Sequence, residues 1–214
     1  MWSASVSLQI AEELPQTAFR AGVRFLGSRT LPHVEDDRDI FRAWRGGDPS
    51  ACNTLFRRHY RSVMLFFTNK VSGDEVEDLV QETFARATSA DFKEKSSFKT
   101  FLLGIGYKVL LEHYKKLAPE ADVDEVSVVD LRTGISTKHA RNERDAGLMR
   151  ALRTLPMKLQ TALELYYWEE LTATEAGEIL GVPENTVRSR VRRAKLQVAQ
   201  YLAADMETPI RSEH

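Results

Sequence analysis

Basic and hydrogen-bonding side chains are concentrated near the C-terminal end of the chain. Residues 184–198 contain four arginines and one lysine against a single acidic residue, Glu184. Arginine and lysine bind phosphates, while arginine, asparagine and serine can also hydrogen-bond the edges of bases. These residue types indicate nucleic-acid binding rather than catalysis. The candidate contact residues are Asn185, Thr186, Arg188, Ser189, Arg192 and Arg193.

The apolar residues within 184–198 predict the helix that must hold these polar side chains. Their spacing of i, i+4, i+7 and i+11 forms one buried stripe on an α-helix. At 100° per residue, the candidate contact residues lie on or beside the opposite face of that helix. The stripe consists of Val187, Val191, Ala194 and Val198.

A shorter helix is predicted directly before this one. Thr172 or Thr174 can cap its start, and Gly181 allows the left-handed conformation that ends it. Gly177 lies where two helices approach so closely that only a tiny side chain fits. Together the two helices indicate a helix-turn-helix, whose second helix enters the major groove. An exposed, solvated basic helix on an ordinary bundle remains the alternative interpretation.

The N-terminal half of the chain predicts four further helices, between residues 36 and 117. The first covers residues 37–45 and stops at two glycines. The second begins at Asp48 followed by proline, because proline suits the first helical position. Gly73 precedes the third helix, and the fourth begins near Ser97.

Strand patterns are nearly absent, so the predicted fold class is all-α: two small helical domains joined by a flexible acidic linker. The linker is expected because residues 119–130 contain five acids and no base. The expected organisation is an extension of unknown role (1–35), a helical domain (36–117), the linker (118–140), the helix-turn-helix domain (141–204) and a disordered tail (205–214).

Other classes of protein fit the sequence poorly. No apolar stretch approaches the ~20 residues of a membrane span, so no membrane insertion is expected. Acidic residues near the N-terminus interrupt any secretory signal, and the single cysteine, Cys52, fits a reducing cytoplasm. There is no catalytic motif, no metal-spaced cluster and no cofactor loop. Glu169 and Glu170 are adjacent acids, which we expect to be solvated rather than catalytic.

Short motifs in both domains resemble one family. DLVQETF at residues 78–84 and FKTFL at residues 98–102 are similar to region 2 of sigma-70 family factors, where DLVQExF and FxxWL occur. Residues 175–195, with TVRSR at 186–190, resemble region 4 of that family. The resemblance covers about residues 40–117 and 145–203. This length fits only the two-domain, extracytoplasmic-function group.

The resemblance implies a non-enzymatic subunit that carries core RNA polymerase to promoter DNA. The family's DLVQE helix docks on the clamp helices of the largest polymerase subunit, and the acidic linker would follow the polymerase's nucleic-acid channel. Members are often held inactive by an anti-sigma protein, which makes one a candidate partner. The residues implied in core binding are Asp78, Gln81 and Glu82. Those implied at the −10 element are Lys93, Lys95, Lys99, Tyr107, Lys108, His113, Lys115 and Lys116. The helix-turn-helix candidates named above would contact the −35 element.

Several positions depart from the family pattern. Phe101 replaces the usual Trp and is expected to keep its packing role. Lys108 and Glu112 stand where Asn and Asp are common, which leaves the −10 preference open. Gly177 replaces the usual Ala, at an expected cost of up to ~1 kcal/mol of helix propensity without a change in geometry.

Two other functions remain as alternatives. A helix-turn-helix regulator that never binds polymerase would explain residues 171–202 but not the 78–84 motif. A sigma-like interaction protein that binds a partner without recognising promoters would explain the departures at Lys108 and Glu112. Binding to core polymerase without promoter-specific transcription would favour the second. An enzyme fits least well.

Overall fold

A computed structural model of the protein describes residues 36–71, 73–90, 92, 96–123, 125–131 and 143–207. Within these ranges there are nine helices and, in place of strands, a single isolated bridge between Ser127 and Pro156. This confirms the predicted all-α class. The predicted N-terminal extension and the candidates Lys93 and Lys95 lie outside the described residues.

Four helices form the first module: α1 (Asp37–Arg45), α2 (Pro49–Thr68), α3 (Gly73–Ser89) and α4 (Phe98–Leu117). Local signals fix where they begin. The side chain of Asp48 accepts a hydrogen bond from the backbone N–H of Ser50 at 2.8 Å, and Pro49 occupies the first helical position. Ser97 caps α4 in the same way by accepting from Thr100 N–H at 3.0 Å.

Aromatic side chains fill the end of this module where α1 meets the start of α4. Phe41 and Phe98 are buried, with ring centroids 5.3 Å apart. Phe101 lies 4.9 Å from Phe92 in the same cluster. Aromatic pairs at these separations add stability beyond their buried area. Phe101 therefore has the packing role expected of it.

The second module consists of α6 (Glu143–Arg153), α7 (Met157–Tyr167), α8 (Ala173–Leu180) and α9 (Glu184–Glu207). Its core lies between α7, α8 and α9, with Met157, Ala162, Leu165 and Ala176 fully buried. Helix α9 continues to Glu207, into the segment predicted as a disordered tail. Asp205, in that segment, accepts a hydrogen bond from Arg150 at 2.9 Å. No described helix is both long and apolar enough to cross a membrane.

Part of the segment predicted as a flexible linker is folded. A short helix, α5 (Val128–Leu131), follows residues that dock on the start of α7. The N–H of Met157 donates to the carbonyl of Val126 at 3.0 Å, and Val128 is fully buried. The buried valines Val123 and Val128 supply an apolar contact that the acidic composition of this segment conceals. Residues 125–131 therefore pack on the second module instead of forming a free linker.

The two modules pack directly against each other. Helix α8 lies on α4, and a buried ion pair joins Lys70 at the end of α2 to Glu164 on α7. Nearby, Lys99 pairs with Glu169 at 2.7 Å, and Ser62 also donates to that carboxylate. The prediction that Glu169 is solvated is wrong: it is only 9% exposed, because the first module covers it. The neighbouring Glu170 is exposed.

Candidate functional site

Three local features of α8 determine the geometry of the helix-turn-helix. Thr172 and Glu175 form a capping box, in which each side chain accepts a hydrogen bond from the other residue's backbone N–H. Gly181 ends the helix in the left-handed conformation, with φ of 65°. A Cβ on Gly177 would lie 2.6 Å from the carbonyl oxygen of Val182. The predicted close approach is therefore present, between α8 and the turn that leads into α9.

Helix α9 divides into two faces as its sequence predicts. The apolar stripe is buried, with Val187, Ala194 and Val198 fully inaccessible and Val191 7% exposed. The opposite face projects away from the core, so its polar groups are free to approach DNA. Its candidates Asn185, Arg188, Ser189, Arg192 and Arg193 are exposed, and Thr186 is half-buried.

One acidic residue modifies this basic face. Glu184 accepts two hydrogen bonds from Arg188, at 2.6 and 2.8 Å, and a third from Thr174 at 3.0 Å. The hydrogen bonds from Arg188, and then from Thr174, hold the pKa of Glu184 below its usual value. Glu184 was not among the predicted contact residues, although a Glu four residues before an Arg is a pair that the sequence of a helix reveals. Arg188 must leave Glu184 before it can contact DNA with its full set of donors.

The DLVQETF helix, α3, also has an outer and an inner face. Asp78, Gln81 and Glu82 are exposed on the outer face, whereas Val80 is 1% and Phe84 8% exposed in the core. Leu79 is half-buried against that core. The three residues implied in polymerase binding are therefore brought together on one accessible surface.

Arg86 joins that surface to α4. Its guanidinium donates to both carboxylate oxygens of Glu112, at 2.8 and 2.7 Å, and to Glu82 at 2.7 Å. Hydrogen bonds to Glu112, and then to Glu82, raise the pKa of Arg86 above its usual value. The Glu82–Arg86 pair is readable at i, i+4, but the link to Glu112 depends on how α3 packs on α4. Glu112 is thus neutralised by an adjacent cation.

The residues implied at the −10 element do not share one surface. Lys108, Lys115 and Lys116 are exposed and, at 100° per residue, lie within about 100° of one another on α4. Lys99 is nine residues before Lys108, which places it on the opposite side of the helix. There it donates to Glu169 in the second module.

Two further −10 candidates are enclosed to different degrees. Tyr107 is only 4% exposed and belongs to the core, a position that does not suit the DNA-stacking role predicted for it. His113 is half-buried beside Glu75, with 3.7 Å between its Nε2 and a carboxylate oxygen. Among the described residues, no cluster of His, Cys, Asp or Glu is arranged to hold a metal ion.

Family models match both modules. The model for Sigma-70 region 2 matches residues 55–119, and that for Sigma-70, region 4 matches residues 146–198. The ECF RNA polymerase sigma-E factor of Salmonella typhimurium is 31% identical over 172 residues, which cover 74% of this chain and 90% of that protein. The ECF RNA polymerase sigma factor SigM of Mycobacterium tuberculosis is 28% identical, with 79% and 86% of the two chains covered.

A solved structure shares the fold. CnrH, in complex with the cytosolic domain of CnrY, superposes with a TM-score of 0.59 at 22% sequence identity, over 80% of this chain and 99% of that one. The matched regions contain both the DLVQETF helix and the helix-turn-helix. The chain therefore belongs to the extracytoplasmic-function group of sigma-70 family factors, and it is an alternative sigma factor that directs promoter-specific transcription initiation.

Proposed function

We propose that this sigma factor holds core RNA polymerase through the outer face of α3 and reads promoter DNA with α4 and α9. The observation that carries the proposal is the exposure of both surfaces on one chain. Asp78, Gln81 and Glu82 offer hydrogen-bonding and acidic groups to the polymerase clamp. Residues 185–193 of α9 offer cationic and amide groups to the −35 major groove.

At the −35 element, Arg188 and Arg192 lie one turn apart on the exposed face of α9 and are the strongest candidates for base contacts. Asn185, at the start of the helix, is placed where recognition helices contact base edges. Arg193 lies beside this line and suits phosphate contact. These assignments are supported by exposure and by helix register.

At the −10 element, the exposed face of α4 with Lys108, Lys115 and Lys116 suits the phosphates of the melted strand. Lys93 and Lys95 retain the role that the resemblance implies. Lys99 joins these −10 contacts only after it leaves Glu169. Tyr107 is omitted from the proposed −10 contacts because it is buried. We also propose that the protein acts in the cytoplasm and that an anti-sigma protein regulates it.

The assignments are tested by separating the two binding activities. Gln81→Ala is expected to weaken assembly with core polymerase, measured by fluorescence titration, while Ser89→Ala, also exposed on α3, changes nothing. Arg188→Ala/Arg192→Ala is expected to leave assembly intact and to lower holoenzyme affinity for −35 duplex by at least about tenfold.

The matched control on α9 is Gln197→Ala, since Gln197 is exposed nine residues after Arg188 and so faces the opposite way. It should bind −35 duplex like the wild type. If Gln81→Ala assembles normally, or if the control weakens DNA binding as much as the arginine pair, these surfaces are assigned wrongly.

A further inference from the structure

We propose that Glu184 is a specificity-determining residue of this sigma factor, which positions Arg188 to bind a guanine of the −35 element instead of a phosphate. The proposal rests on the proposed function, because it assumes that α9 enters the −35 major groove. It goes further by naming the base that Arg188 reads and the residue that makes this reading selective. In this role Glu184 acts through Arg188 and needs no contact with DNA of its own.

The position of Glu184 in the sequence is unusual for a DNA-binding helix. It is the single acid within residues 184–198, against four arginines and one lysine. It lies in the first turn of α9, and recognition helices enter the major groove by this end. A carboxylate here repels DNA phosphates and so lowers the affinity for every sequence. Because it opposes affinity, its presence is better explained by selectivity, which a repulsive group can increase.

The contact between Glu184 and Arg188 uses one edge of the guanidinium. Arg188 donates from Nε at 2.8 Å and from Nη2 at 2.6 Å, and both hydrogen bonds end on Oε1 of Glu184. A guanidinium has five N–H donors in a planar fork, and these two form its side edge. The remaining three donors, on Nη1 and Nη2, form the end edge. Arg188 can therefore bind DNA through this end edge while it stays bonded to Glu184.

A second hydrogen bond fixes the carboxylate from α8. Thr174 donates its hydroxyl hydrogen to Oε2 of Glu184 at 3.0 Å, so each carboxylate oxygen has its own donor. Thr174 lies in the first turn of α8, whereas Arg188 lies one turn after Glu184 on α9. Both helices of the helix-turn-helix thus determine where the guanidinium lies. It is held toward the start of α9, the part of the helix that contacts base edges.

The end edge of the guanidinium matches guanine better than the other bases. Guanine presents two acceptors, O6 and N7, in the major groove, and arginine can donate to both at once. Adenine and cytosine each present an amino donor there, and thymine presents one acceptor beside a methyl group. Phosphates lie along the rims of the groove, so reaching one would draw Arg188 away from Glu184. The bonds to Glu184 therefore favour the base over the backbone.

The pair acts mainly in the complex with DNA. In the free protein the side chains of Glu184 and Arg188 are 42% and 62% exposed. An exposed ion pair contributes little to stability, so substitutions of Glu184 should leave the fold intact. In the major groove DNA replaces part of the surrounding water, and hydrogen bonds strengthen as the local dielectric constant falls. The orientation of Arg188 is thus enforced where it decides which sequence is bound.

Selection of −35 sequences by the assembled holoenzyme tests the proposal. Promoter duplexes randomised over the −35 element are bound by the full chain with core polymerase, and the bound fraction is sequenced. The position whose preference disappears in Arg188→Ala identifies the base pair that Arg188 reads, and the preferred base there should be guanine. In Glu184→Ala this guanine preference should fall at least about fivefold.

Affinity for unrelated DNA should change in the opposite direction. Glu184→Ala removes a negative charge and releases Arg188 to a phosphate, so holoenzyme should bind a duplex that lacks promoter elements more tightly. The slope of log affinity against log salt on this duplex should become steeper by about 0.9. Fluorescence anisotropy at several salt concentrations measures both quantities. A residue that only supports the fold would instead weaken specific and non-specific binding together.

Three further variants separate position from charge. Glu184→Gln keeps an acceptor oxygen for Arg188 without the charge, so it should retain most of the guanine preference while binding unrelated DNA more tightly. Thr174→Val removes the bond from α8 and should lower the preference by less than Glu184→Ala does. Glu178→Ala is the matched control, since it removes an exposed acid from α8, and it should keep the wild-type preference.

The possible failures are distinguishable. A guanine preference in Glu184→Ala equal to that of wild type would overturn the proposal and leave the −35 assignment of α9 in place. The same holds if the base that Arg188 reads is not guanine, or if Glu184→Gln loses as much preference as Glu184→Ala. If wild-type holoenzyme selects no −35 sequence at all, both this proposal and the −35 assignment of α9 are wrong.

Discussion

A Cβ added to Gly177 would lie 2.6 Å from the carbonyl oxygen of Val182, in the turn of the helix-turn-helix. The sequence alone predicts that glycine costs helix propensity here without changing the geometry. The structure corrects this, because the oxygen belongs to the backbone and alanine requires the turn to move. Glycine allows α8 and the turn to come closer than alanine would.

Gly177→Ala should therefore destabilise the protein. Strain of about 1–3 kcal/mol from overpacking outweighs a gain of up to ~1 kcal/mol in helix propensity. Urea unfolding monitored by circular dichroism measures the net loss. Gly104→Ala is the matched control: Gly104 lies within α4 with nothing within 4 Å of its added Cβ, so alanine should stabilise. A Gly177→Ala variant as stable as wild type would show that the turn adapts freely.

Asp37 should contribute stability that depends on pH. Burial raises the pKa of Asp37, but hydrogen bonds from His59 and Arg58, both 2.8 Å, outweigh burial and hold the pKa below the ordinary 3.8. A lowered folded-state pKa stabilises the protein above the unfolded value, and the effect is lost as pH falls through the folded value.

Asp37→Asn should accordingly lower the free energy of unfolding at pH 7, by about 1 kcal/mol or less after solvent screening. The difference from wild type should shrink as pH falls below about 4. Unfolding curves at several pH values provide the measurement. Asp39→Asn, at an exposed position on α1, should change stability by less than about 0.5 kcal/mol at any of them. A difference for Asp37→Asn that grows in acid would contradict the sign of the shift.

Lys108 and Glu112 should act in opposite directions on −10 binding. Lys108→Ala removes one phosphate contact, so the slope of log affinity against log salt for holoenzyme on −10 single strand should fall by about 0.7. Glu112→Gln removes a negative charge from the same face and leaves Arg86 paired with Glu82 alone, so affinity should rise. Fluorescence anisotropy at several salt concentrations measures both. An unchanged slope for Lys108→Ala would exclude this lysine from the DNA contact.

The sequence predicts best those features of the fold that are determined by residues close together in the chain. Asp48 with Pro49, Ser97, and the pair of Thr172 and Gly181 act within a few residues, and each begins or ends a helix as its chemistry requires. The apolar stripe of α9 is equally local, since one helical period determines which residues are buried.

Contacts between distant segments could not be predicted in this way. Glu169 has the sequence context of a solvated acid and becomes buried only because Lys99 and Ser62 come from the other module. Tyr107 could face either side of α4 until the position of its neighbours is known. The link from Arg86 to Glu112 crosses 26 positions and depends on helix packing. The individual −10 contacts depend on the same packing between distant segments.

Transcription in vitro with purified core polymerase on a promoter library tests the central claim most directly. Wild-type protein should start RNA at a defined promoter class. Gln81→Ala should fail through loss of core binding, and Arg188→Ala/Arg192→Ala through loss of −35 binding with core binding retained. If the protein binds core but never initiates, it is an interaction protein. If it never initiates with core but protects duplex DNA alone, it is a conventional regulator. Either result contradicts the account given for α3 and α9.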